Sequence, residues 1–142
     1  MLTDDDFWGR VGLLGQPAES LDQAREGYER LVAALAQRSR RDIKKFEEAL
    51  AHKLYLIDTR AHAERTVASD DGFLYARCAV VACGRDVYES VRNDPQTMPA
   101  DVDFEDLLSV APAAYERKTG EVLEYETGCS YETGSNVAGW PE

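Results

Sequence analysis

Residues 20–38 read SLDQAREGYERLVAALAQR, and this stretch decides the fold class. Ser20 and Gln23 stand three apart as a capping-box pair, and Leu21, Ala24, Tyr28, Leu31 and Leu35 keep one apolar stripe over four turns. The spacing predicts a single helix from about Leu21 to Arg38, despite Gly27, which costs about 1 kcal/mol relative to Ala inside a helix. Upstream, Thr3 and Asp6 mark a first helix on Phe7, Trp8, Val11 and Leu14, ended by Gly15-Gln16-Pro17. Downstream, Ser39 and Asp42 open a third on Ile43, Phe46, Leu50, Leu54 and Ile57, fading between Ala61 and Thr66. A fourth is expected from Ser69-Asp70-Asp71 to about Asn93, on Phe73, Val80, Gly84, Val87 and Val91, stopped by Asp94-Pro95. Phe104, Leu107, Leu108, Val110 and Ala114 predict a fifth, shorter helix, with Pro112 limiting where it begins or kinks.

Four or five unequal helices with short connections imply a compact all-α array over residues 1–120. Residues 121–142 form a less regular, acidic, aromatic-containing extension, in which Val122, Leu123 and Tyr125 suggest a short strand. Tyr125-Glu126-Thr127-Gly128 recurs as Tyr131-Glu132-Thr133-Gly134, which is too short a period for a repeat architecture. Tyr125, Tyr131 and Trp140 are expected to pack back on the helices. The predicted core is Phe7, Tyr28, Leu31, Leu50, Leu54, Phe73, Val80 and Val87.

A chain of 142 residues holds one core. No apolar run approaches the roughly 18 to 20 residues of a spanning helix, and the acidic start is unlike a signal peptide, so a soluble, cytoplasmic protein is expected. Sixteen basic against 27 acidic residues give a net charge of −11. From Pro95 to Glu142 there are 2 basic and 10 acidic residues, so −8 of it lies in the last third. That field repels nucleic acid and anionic membrane surfaces and suits a basic protein partner. Cys78, Cys83 and Cys129 lack paired spacing and read as free thiols, and the ten residues between His52 and His62 put them roughly 15 Å apart on a helix, too far to share a metal. No cofactor or metal motif is present.

Candidate site residues fall in the predicted fourth helix. Asp70 and Asp71 are adjacent carboxylates that could ligate a cation or work as an acid–base pair, although helix capping accounts for both. Arg77 falls on the stripe of Phe73 and Val80, where a guanidinium needs a partner: Asp70, Asp71 or an acid of another helix, or else the carboxylate or phosphate of a ligand. Arg85 and Tyr88 lie further along the same helix. The basic cluster Arg38, Arg40, Arg41, Lys44 and Lys45 reads as a solvated junction.

Phe7-Trp8, Ser69-Asp70-Asp71-Gly72-Phe73, Gly84-Arg85, Tyr88-Glu89, Asp94-Pro95 and the run from Val110 to Glu116 together resemble the bacterial DUF4240 family, from about Asp4 to Gly120. The resemblance implies an uncharacterised small domain, found alone or beside modules such as the WGR domain, and supplies no mechanism. The chain departs from the pattern at Thr66-Val67-Ala68 and Ala76, where the family often carries aromatic residues. The first expectation is therefore a non-catalytic, acidic interaction or regulatory protein, of immunity or antitoxin type. The alternative is a small enzyme or ligand-binding domain using Asp70, Asp71, Arg77, Arg85 and Tyr88.

Overall fold

The computed structural model describes residues 2–15, 21–66 and 69–141. These contain seven α-helices, α1 (Asp4–Val11), α2 (Leu21–Ala36), α3 (Arg40–Leu56), α4 (Arg60–Ala63), α5 (Asp70–Ala82), α6 (Arg85–Asn93) and α7 (Val110–Thr119). Three short 3-10 segments lie between them and a fourth, Val137–Gly139, in the tail after α7, and no strand occurs among the described residues. The all-α class holds, with more helices than the four or five expected. None is long and apolar enough to cross a membrane.

Caps set the boundaries where sequence placed them. Thr3 accepts from the Asp6 amide, Ser39 from Asp42 and Ser69 from Gly72. The Ser20 cap lies outside the described residues. The predicted fourth helix is in fact two, because Gly84 adopts φ 105°, in the region that favours glycine, and becomes the N-cap of α6. The break rotates the stripe, so Val87 is exposed while Tyr88 and Val91 turn inward. The third helix also stops early, at Leu56, and Thr59 caps the separate turn α4. Pro112 sits in the first turn of α7, where its missing N–H is harmless.

α3 is central, packing on α2, α5 and α7, and Phe46, Leu50 and Leu54 along it and Ile57 at its C-cap are fully buried. Tyr28 is only partly buried, its hydroxyl 2.9 Å from the Ser109 hydroxyl. Gly27 has a packing reason to be glycine: a Cβ there would lie 2.7 Å from the Leu14 carbonyl carbon. Gly27→Ala should stabilise an isolated helix by about 1 kcal/mol. Here it is expected to destabilise by roughly 1–3 kcal/mol, because backbone rather than a flexible side chain must move. A denaturant melt showing a more stable variant would contradict this packing.

Candidate functional site

Beyond Gly120 the chain, irregular apart from the 3-10 turn Val137–Gly139, runs back across α3, and two carboxylates hold it there. Glu48, on α3, accepts from the Gly128 amide with both oxygens, at 2.8 and 2.9 Å, and from the Tyr125 hydroxyl at 2.8 Å. Asp58, fully buried just past the end of α3, accepts from the amides of Gly134 and Asn136, each at 3.0 Å, and from the Trp140 indole at 2.9 Å. The two Tyr-Glu-Thr-Gly copies are thus two clamps, each giving its glycine amide to one acid. The strand expected around Val122 is absent.

Between the clamps lies a cavity of about 390 Å³, floored by Glu47 and walled by tail residues including Tyr125, Glu126, Cys129, Tyr131 and Glu132. Glu47 flanks the apolar stripe of α3, one residue past Phe46, and is 8% exposed. Among the described residues it has no hydrogen-bond or ion-pair partner. Burial pushes its carboxyl up to about 7. Near neutral pH it can therefore either hold its proton or give it up. Tyr131 is also shifted upward, by burial first and then by Glu47 and Glu132. Burial raises the Cys129 thiol as well, with Glu48 adding to the effect, which keeps it a thiol and not an activated nucleophile.

A second cavity, about 280 Å³, lies between the N-terminal segment and α3. Its lining combines Asp4 and Glu48 with Lys45 and Lys53, and the Lys53–Asp4 pair at 3.0 Å neutralises much of that charge internally. Among the described residues, no three His, Cys, Asp or Glu side chains are grouped to hold a metal ion.

The five residues predicted from sequence are scattered. Asp70 and Asp71 are exposed in the first turn of α5, where negative charge suits the helix dipole. Arg77 is fully buried, as its stripe position implied, but its direct partners are not carboxylates. It donates to the Leu54 carbonyl at 2.9 Å and the Thr133 hydroxyl at 3.2 Å, and lies 4.6 Å over the Phe73 ring. Burial pushes its pKa down, while Asp58, Cys78 and Glu132 pull it back up. The expected pairing with Asp70 or Asp71 is replaced by a relay, in which Thr133 also donates to the Asp70 carbonyl at 2.7 Å. Arg85 is exposed and pairs with Asp5 at 2.9 Å. Tyr88 is buried against Trp8 and donates to the Lys53 carbonyl at 2.7 Å. None of the five lines either cavity.

His62 is a satisfied core histidine. Its Nε2 faces the Val91 carbonyl at 2.7 Å and so carries the proton, while Nδ1 receives the Thr59 hydroxyl at 2.6 Å. Burial lowers its pKa, keeping that neutral form. The residues that sequence reasoning passed over are Glu47, Glu48 and Asp58. The available signals were an acid beside the apolar stripe, another directly after Ile57, and the tyrosine-bearing doublet of the tail.

The family model described as a protein of unknown function, DUF4240, matches residues 2–117. No curated protein and no solved structure matches the chain. The α3 side of the larger cavity lies inside the matched span, and its tail side lies beyond it.

Proposed function

This chain belongs to the DUF4240 family, and for this member we propose a non-catalytic role: it recognises a basic protein partner through the acidic face that α3 and the tail build together. The observation that carries the reading is the lining of the larger cavity, which includes Glu47, Glu126 and Glu132 and no lysine or arginine. The two lysines nearest in sequence are turned elsewhere, Lys44 over the Tyr115 ring and Lys45 into the other cavity. An anionic ligand would be repelled there, and the tail adds no positive charge after Lys118. The cysteine of the cavity is held as a thiol, so nothing in it resembles an activated nucleophile.

Such recognition should be electrostatically steered and sensitive to salt. A fluorescently labelled lysine-rich peptide is expected to bind with measurable anisotropy at low salt, and a glutamate-rich peptide not at all. Neutralising Glu124, Glu126 and Glu132 together as glutamines should weaken binding by about tenfold or more. Equal affinity of the triple variant, or no binding of the basic peptide, would overturn the reading.

A further inference from the structure

Glu47 is an anomaly among the buried carboxylates of the fold. Buried carboxylates are normally paired or hydrogen-bonded, as Asp58 is with three donors. Glu47 is more than nine-tenths buried, has no partner among the described residues, and opens onto the cavity beneath the tail. The titratable groups facing it across that cavity are Tyr125, Glu126, Cys129, Tyr131 and Glu132. Glu48 adjoins it on α3, and Cys78 of α5 acts on Tyr131. These are all acidic or neutral; Arg77, which acts on Glu132, donates to the Leu54 carbonyl and the Thr133 hydroxyl and not to Glu47, so among the described residues no cation pairs with the ionised form.

We propose that this cavity is a socket for a single basic side chain of the partner, an ammonium or guanidinium group, with Glu47 as its buried counter-charge and Glu126 and Glu132 at its mouth. The proposal rests on the functional reading above and deepens it. An entering cation would convert an uncompensated carboxyl into an ion pair, and the tyrosine rings of the wall offer it a favourable π-face. The volume of about 390 Å³ admits the stem of such a side chain as well as its head. Burial holds the free carboxyl near pH 7, so pairing requires it to release its proton, and affinity becomes tied to pH.

The probe is a blocked pentapeptide with one central lysine, compared with the same peptide carrying norleucine, with an arginine version, and with free cadaverine. In nitrogen-15 correlation spectra the lysine and arginine peptides are expected to shift the amides around Glu47, Cys129 and Tyr131 saturably, and the norleucine peptide is not. Apparent affinity should rise by about tenfold from pH 6 to pH 8 as Glu47 ionises. Glu47→Gln should abolish both the binding and its pH dependence, and Tyr131→Phe, which leaves Glu47 in place, should retain them. Binding of the norleucine peptide, or unchanged lysine binding in Glu47→Gln, would overturn the socket. If lysine-rich peptides bind the acidic face while Glu47→Gln has no effect, the socket fails and the broader reading stands. If no cationic peptide binds, both fail. Cadaverine binding at least as tightly as the peptide would replace a protein side chain by a free amine as the ligand and overturn the partner assignment.

Discussion

Asp58→Ala is expected to lower the unfolding free energy by about 3–5 kcal/mol, the cost of removing one member of a buried charged network. The carboxylate is fully buried and is, among the described residues, the hydrogen-bond acceptor of the Gly134 and Asn136 amides and of the Trp140 indole. Without it, three part-buried donors lose a charged acceptor, each bond worth at most about 1–3 kcal/mol before water and relaxation replace part of it. The damage also spreads. Thr133 would no longer be held against Arg77, whose Nε already has no partner among the described residues. Trp140 would lose its anchor beside Phe73, where the rings meet edge-on at 6.2 Å. Asp58→Asn should recover only part of the loss, because its NH₂ would face an N–H donor. The expected signature is a large fall in the melting midpoint, together with rapid proteolysis between residues 121 and 141. A midpoint within about 1 kcal/mol of the parent would mean that the tail is not held as described.

Glu47→Gln should act in the opposite direction and only at higher pH. The folded-state pKa of Glu47 is raised from 4.5 to about 7. Its contribution to stability is therefore fully present below pH 4.5 and is lost as pH rises through 7. In the unfolded chain the carboxyl ionises freely, whereas in the fold it does so inside a cavity with no partner. The amide cannot ionise, so the variant escapes this loss. Its stability relative to the parent should increase by about 3 kcal/mol between pH 4.5 and pH 8. His62 has the reverse dependence, since its lowered pKa favours the fold above 6.5 and disfavours it as pH falls. Comparing the variant with the parent at each pH cancels that contribution. Urea titrations across the range check the prediction, and a difference that does not vary with pH would contradict it.

The helices were legible because local signals and burial agree. Thr3, Ser39 and Ser69 cap the helices that follow, and Leu31, Leu35, Phe46, Leu50 and Leu54 bury the stripes that spacing assigned. The break at Gly84 was not, since Val80, Val87 and Val91 remain in helical phase across it and a mid-helix glycine also reads as a close-packing residue. Only its positive φ separates the two cases, and that depends on tertiary packing. For Arg77, burial was legible but the identity of its partners was not. A carbonyl and a threonine hydroxyl 56 residues away leave no charge pattern to read.

The cavity was hidden for a related reason. Asp58 and Glu48 are satisfied largely by backbone amides of the tail, which any residue except proline supplies. Glu47 reads from sequence as one of two adjacent surface acids on a helix rich in charge. Its burial follows from the return of the tail over α3, a contact between segments some 80 residues apart in the chain. The charge imbalance after Pro95 was visible, and the structure shows that part of it faces the one buried acid left without a partner among the described residues.

The most direct measurement is a carbon-13 NMR titration of the Glu47 side-chain carboxyl, free and with the single-lysine peptide in saturating amount. The expected midpoint is near 7 in the free protein, falling by more than one pH unit with the peptide bound as the ion pair forms. A free midpoint near the ordinary 4.5 of a glutamate, or a midpoint that the peptide leaves unmoved, would contradict this expectation.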